Sequence, residues 1–269
     1  MATPQVIVGH LAPDLDCLVA IWILVRFGKT NEAQLEFVAA GRTWQDAPAD
    51  ADPAIIHVDT GGGQYDHHHI ADPTLSAAEL VRRAIAPGDE ALSRLVEQVT
   101  RIDHADTTGG RQAVFFNITD LIAGYNALYP NRPHHVAQAM LPNLDAWYEH
   151  EQRQLRLERA FLRRMEFQTR WGLGIAMASD DGGSSRLAYS HGAVLYAYRD
   201  RRGYMGIAAQ SRSTVDLEPV FHDLKRLDAH ADWYLHPNHR LLLCGTPKAP
   251  PRVPSALSLA ELVDVLKRR

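Results

Sequence analysis

The order of apolar and polar positions along the chain predicts alternating strands and helices. Val6-Ile7-Val8 is a short β-branched run ending at Gly9-His10, and it predicts a first buried strand. After the loop His10-Leu11-Ala12-Pro13-Asp14-Leu15-Asp16, the apolar stretch 17–25 predicts a helix. A second strand is predicted around residues 35–39 and a third over 54–58, where Ala54-Ile55-Ile56-His57-Val58 runs into Asp59. Helices follow over 76–85 and 89–102, the latter with Leu92, Leu95, Val96 and Val99 at three- and four-residue spacing. Residues 113–129 read as another helix, and Asn131-Arg132-Pro133-His134-His135 as a break before further helix, with His134 and His135 as surface or capping residues. The Arg-rich run 144–171 has the pattern of one long amphipathic helix. Beyond Gly172 the pattern changes to short strands over 174–178, 193–198 and 204–209, a helix over 217–229, and strands near 232–235 and 241–244. A closing helix starts at Ser258, which forms a capping box with Glu261.

This alternation predicts an α/β protein with a parallel-sheet domain over residues 1–140, a linker helix over 141–171 and a smaller α/β domain over 172–269. A chain of 269 residues that is 46% hydrophobic can build both cores. No stretch approaches the roughly 20 apolar residues of a membrane span, and no basic leader precedes the first strand. The expected location is therefore cytoplasmic, with no membrane partner. Cys17 and Cys244 are too few for a disulfide framework and lack zinc-finger spacing, so both are expected to be packing residues.

The net charge of −4 is unevenly spread: residues 1–130 carry 17 acidic against 8 basic side chains, and residues 131–269 carry 15 against 20. An acidic half can collect metal ions and a basic half can hold phosphates. Coating long duplex DNA relies on many phosphate neutralisations, which an acidic chain supplies poorly. A short or single-stranded anion fits better.

The densest candidate chemistry is Val58-Asp59-Thr60-Gly61-Gly62-Gly63-Gln64-Tyr65-Asp66-His67-His68-His69. Carboxylate and neutral imidazole are ordinary ligands of divalent metals, and the glycines let the chain turn sharply between them. A solvated loop is the plain alternative. His10, Asp14 and Asp16 lie at the carboxyl end of the first strand, where open α/β sheets place their ligands. Asp16 could simply cap the helix that follows, but capping explains one aspartate and leaves His10 and Asp14 unexplained. Asp103 and Asp106, in Asp103-His104-Ala105-Asp106, end a helix where carboxylates oppose the dipole, so another role is expected for them.

Taken together, His-x-x-Pro-Asp-x-Asp, a strand-ending Asp, Asp-His-His and a further Asp occur in an order that resembles the DHH phosphoesterase superfamily. The glycine-rich link from Asp59 to Asp66, the double aspartate and the segment His236-Pro237-Asn238-His239-Arg240 leading to Cys244-Gly245 and Lys248 are similar to the MYG-type exonuclease branch. The chain departs from the wider pattern in lacking a Gly-Gly-Gly-His run in its second half. The resemblance implies a DHH-type catalytic domain holding two divalent ions, Mn²⁺ in first place and Mg²⁺ or Co²⁺ as alternatives. One ion would take His10, Asp14 and Asp59, and the other Asp16, Asp59, His67 and either Asp103 or Asp106, with Asp59 bridging. His68 would contact phosphate beside Asp59 and Asp66, and Arg212, His236, Arg240 and Lys248 would be further substrate contacts. The implied reaction is phosphodiester hydrolysis by metal-generated hydroxide, on a short single-stranded oligonucleotide. A homodimer is compatible with the sequence. Two other classes stay open: a small-molecule phosphohydrolase acting on pyrophosphate or cyclic dinucleotides, and a non-enzymatic metal-dependent binding protein.

Overall fold

Three short strands rich in β-branched and aliphatic residues pair in parallel at the start of the chain. In the computed structural model, which describes residues 5–30, 32–104 and 116–269, they are β1 (Val6–His10), β2 (Gln34–Val38) and β3 (Ile55–His57). Their order is β2-β1-β3, with Val8 opposite Glu36 on one side and His57 on the other. The Val58 amide continues the ladder by donating to the Val8 carbonyl, so the carboxyl ends of β1 and β3 reach the same edge. That edge is where His10 and Asp59 emerge.

Helix α1 (Leu15–Phe27) is apolar on every side and is buried from Leu15 to Leu24, as an all-round hydrophobic helix must be. It packs chiefly on α2 (Ala77–Ile85) and also on α3 (Glu90–Asp103). Ser76 and Asp89 cap α2 and α3 by accepting from the Glu79 and Leu92 amides. Next come α4 (Ile118–Leu128), opened by a capping box between Asn117 and Asp120, and α5 (Pro133–Phe161). Asp145 on α5 accepts hydrogen bonds from Trp22 and Arg26 of α1, and Tyr148 donates to Asp89, which ties the first part of α5 to this layer.

The chain divides into two compact units, 1–153 and 154–269. The second contains a six-stranded mixed sheet of β4 (Met165–Thr169), β5 (Gly172–Ala178), β6 (Leu195–Arg199), β7 (Met205–Ala209), β8 (Tyr234–Leu235) and β9 (Leu241–Cys244). The strand order is β4-β5-β6-β7-β9-β8, with only β5 and β6 parallel. With α6 (Ser184–Ser190), α7 (Glu218–Leu227) and α8 (Leu259–Lys267) it makes a second mixed α/β layer. The capping box of Ser258 and Glu261 opens α8. Among the described residues no helix is long and apolar enough to cross a membrane.

The helix expected over 144–171 stops at Phe161, and Met165–Thr169 is a strand instead. Its Phe167 is buried between exposed Glu166 and Gln168, and the period-two pattern with β5 as a neighbour overrides the helical one. The helix expected over 113–129 begins only at Ile118 because Asn117 caps it; residues 113–115 lie outside the described residues. Helix α6 has no counterpart in the sequence pattern, being seven residues with three serines.

Candidate metal centre

The first motif is built by the turn from β1 into α1. His10 ends β1, its Nδ1 donates to the Leu11 carbonyl at 2.9 Å, and the lone pair of a neutral ring is thereby left on Nε2. Nε2 lies 3.2 Å from Asp59 Oδ2 and 3.8 Å from Asp14 Oδ1. Asp14 is the cap of α1, accepting from the Cys17 amide at 3.0 Å. Asp16, expected either to cap that helix or to bind a metal, does not cap α1 but reaches α2, where Oδ2 accepts from the Ala77 amide at 2.7 Å and Oδ1 from the Ala78 amide at 2.9 Å. A buried carboxylate on a helix amino terminus is favoured by the amide dipoles there.

Asp59 follows β3 with φ +57°, in the left-handed region that few non-glycine residues adopt. Its amide donates to the Tyr65 carbonyl at 3.0 Å, closing a loop. Gly61 and Gly62 share the left-handed backbone, with φ +83° and +71°, and a Cβ on Gly61 would come within 2.9 Å of the Thr43 side chain. The loop is fastened by Asp66, which accepts from the Gly62 amide at 2.8 Å, the His68 amide at 3.1 Å and His68 Nδ1 at 2.7 Å. Burial pushes the Asp66 carboxyl up, but these three bonds outweigh it and hold the group below the usual carboxylate range.

The return places His67 Nε2 at 3.5 Å from Asp16 Oδ2, 3.6 Å from Asp59 Oδ1 and 3.4 Å from Asp103 Oδ2. Asp103 comes from the last residue of α3. None of these contacts is a hydrogen bond. Among the described residues only four buried side-chain polar atoms lack a hydrogen-bond partner, and two of them are Asp59 Oδ1 and His67 Nε2. A buried orphan costs roughly 1–3 kcal/mol, so two facing one another suit a ligand pair for a cation.

The electrostatics agree. Burial first, and then the charge of Asp59, push Asp16 up to about 7. Asp103 is raised for the same leading reason, its burial. Asp59 first, joined by Asp16 and Asp103, pushes His67 up to about 9. Burial opposes the charged form of His10, but Asp14 and Asp59 overcome it and raise that group too. Carboxylates so crowded favour a positive charge among them, which a proton on imidazole or a divalent cation can supply.

Of the residues singled out in the sequence, His10, Asp14, Asp16, Asp59, Asp66, His67, His68 and Asp103 come together in the first unit. Asp106 lies outside the described residues. Arg212, His236, Arg240 and Lys248 belong to the second unit, where Arg212 and Lys248 are exposed and His236 Nδ1 accepts from the Asn238 amide. Arg240 donates both Nε and Nη2 to the Ser213 carbonyl. Two neighbours were not read from the sequence as part of the site. The Cys17 thiol sits within 4.8 Å of ligand atoms of His10 and Asp59, and burial pushes it up to about 11, so it is a protonated wall of the site. His104, the cap of α3, packs edge-on against His67 with its Nε2 at 2.6 Å from the Leu75 carbonyl. Its place beside Asp103 was the only signal available.

His69 is exposed and belongs to none of these groups. His69→Ala should leave Mn²⁺ affinity within about twofold of the native value, whereas His67→Ala should weaken it by at least about tenfold. Equal losses in a Mn²⁺ titration would overturn this division of roles.

No known protein family matches this sequence, and no curated protein does so. The solved structures similar to it include an uncharacterized protein from Helicobacter pylori, at 13% identity and a TM-score of 0.31, covering 98% of this chain and 99% of that one. They also include RecJ in complex with Mg²⁺ from Thermus thermophilus, at 11% identity and a TM-score of 0.30, covering 98% of this chain and 49% of that one. The chain thus spans about half the length of that RecJ chain. Overlaps this loose carry no weight, and the site stands on its own residues.

Proposed function

We propose that the chain is a phosphodiesterase dependent on two divalent metal ions, acting on short single-stranded oligonucleotides. The observation that carries this reading is that Asp59 joins two clusters, His10 with Asp14 on one oxygen and His67 with Asp103 on the other, and that Asp59 Oδ1 and His67 Nε2 are buried without a hydrogen-bond partner. The order of the sequence motifs, which resembles that of DHH phosphoesterases, supports it independently.

The donor set is carboxylate oxygen and imidazole nitrogen, which suits Mn²⁺, with Mg²⁺ and Co²⁺ as alternatives. His10, Asp14 and Asp59 would hold one ion, and Asp59, His67, Asp103 and Asp16 the other. When bound, such a pair supplies Lewis acidity to phosphoryl oxygens and lowers the pKa of water. The protein's own part is positioning. His68 is held by its Nδ1 hydrogen bond to Asp66, while its side chain is 65% exposed, so Nε2 is offered outward to a non-bridging phosphate oxygen. Asp66, fixed by three donors, keeps the ring from turning.

The test is metal content together with the products from an end-labelled oligonucleotide of a few nucleotides. Mn²⁺ uptake with stepwise shortening from one end is the expected result. Phosphate released from pyrophosphate, with no cleavage of the oligonucleotide, would overturn the nuclease reading. Absence of Mn²⁺ uptake would overturn the metal centre itself.

A further inference from the structure

The thiol of Cys17 borders the metal centre without belonging to its oxygen and nitrogen donors. Its Sγ and one donor atom each of His10 and Asp59 lie within 4.8 Å of one another. All three are withdrawn from water, with Cys17 at 0% and Asp59 at 3% exposure and the His10 side chain at 12%. The sulfur is set in place from two directions. The Cys17 amide donates to Asp14 Oδ1 at 3.0 Å, which fixes the first turn of α1, and Gly9 leaves the necessary room, because a Cβ there would come within 2.8 Å of Sγ. A small apolar side chain would pack in the same space, so what distinguishes cysteine here is its chemistry.

A second observation comes from the carboxylate. Asp59 Oδ2 faces His10 Nε2 at 3.2 Å, while Oδ1 of the same group is buried without a hydrogen-bond partner. The carboxylate therefore has capacity left for a cation beside the imidazole. Asp14 Oδ1 lies 3.8 Å from His10 Nε2 on the other side. Imidazole nitrogen, sulfur and two carboxylates are the kinds of donor that a tetrahedral zinc ion takes. Mn²⁺ is harder and prefers the oxygens, and beside it the thiol keeps its proton. Zn²⁺ and the softer Cd²⁺ bind thiolate strongly enough to displace that proton.

We infer that Cys17, with His10 and Asp59, makes this ion position a site for thiophilic divalent cations of the zinc group, which compete there with Mn²⁺. The inference rests on the two-ion reading for the place of the ion, and it adds a sulfur ligand and a selectivity that the motif order does not contain. Protein donors on all sides close a tetrahedral ion to water, so a zinc-group ion held in this way inhibits turnover.

The test is a Cd²⁺ titration of the metal-free full chain followed in the ultraviolet, where a sulfur–cadmium bond adds a charge-transfer band and the histidine triplet adds none. The native chain should develop the band. Cys17→Ala should abolish it and weaken Cd²⁺ binding at least about tenfold more than it weakens Mn²⁺ binding. Cys17→Ser should abolish the band as well, and it keeps the test open if the alanine variant does not fold. Cys244→Ala removes the only other cysteine and should leave the band in place. A native chain that takes up Mn²⁺ but shows no band with Cd²⁺ overturns the sulfur ligand alone, as does a band that survives both Cys17 substitutions. A band that depends on Cys17 in a chain that takes up no Mn²⁺ upholds the sulfur ligand and overturns the two-ion reading.

Discussion

Asp59→Asn should lower phosphodiesterase turnover by at least about 10³-fold and abolish tight Mn²⁺ uptake, without unfolding the protein. Asp59 is 3% exposed, one oxygen faces His10 and the other faces His67, so its carboxylate lies between the two imidazoles and adjoins both. Asparagine keeps the shape but replaces one anionic oxygen with an amide that donates, which opposes a cation. The left-handed backbone at this position is tolerated by Asn as well as by Asp, so the loop should survive. Removing the charge also relieves Asp16 and Asp103, whose carboxyls Asp59 helps to push up. The metal-free variant should therefore melt no lower than the native chain, and it should lose the rise in melting temperature that Mn²⁺ gives the native protein. Turnover within tenfold of native would sink the assignment of Asp59, and a large fall in metal-free stability would show that the substitution acted through the fold.

Asp16→Ala should destabilise the metal-free chain by about 2–5 kcal/mol, measured by urea unfolding in the presence of a chelator. The Asp16 carboxylate accepts both the Ala77 and Ala78 amides and is 2% exposed, so truncation leaves two buried donors at the start of α2 without partners. Asp16→Asn keeps one acceptor and should fall between the two. A residue serving only as a metal ligand would behave in the opposite way: its burial beside Asp59 is unfavourable without the ion, so truncation would leave metal-free stability unchanged or raise it. That outcome would remove Asp16 from its place as the anchor of α2.

Much of this was legible in the sequence because its signals are local. Val6-Ile7-Val8, the apolar run of α1 and the capping box of Ser258 and Glu261 act within a few positions of themselves, and the structure uses them as the pattern predicts. Which carboxylate does what was not legible. Asp14 and Asp16 are two residues apart and chemically alike, yet one caps its own helix and the other a helix that begins 61 residues later. That choice is made by how α1 packs on α2, a tertiary fact. The misread segment after Phe161 has the same origin: Met165-Glu166-Phe167-Gln168-Thr169 is short enough to satisfy either period until β5 lies beside it. Cys17 was read as packing and does pack, but its thiol also borders His10 and Asp59 because the loop folds it back there.

The parallel pairing of β1 with β3 has a consequence for how the chain meets metal while it folds. His10 and Asp59 are 49 residues apart and become neighbours only after that long-range pairing forms. His67, His68 and His69, by contrast, are adjacent in any conformation and can chelate before the sheet exists. Ions high in the affinity order for imidazole, such as Cu²⁺ and Ni²⁺, would be captured by this short segment of the unfolded ensemble and stabilise it at the expense of the native state. Weaker binders such as Mn²⁺ would gain little from three loose imidazoles and would depend on the carboxylates that the sheet brings in. Capture by the histidine triplet would thus be the first metal-binding event open to the unfolded chain, and binding by the full set of imidazoles and carboxylates the later one.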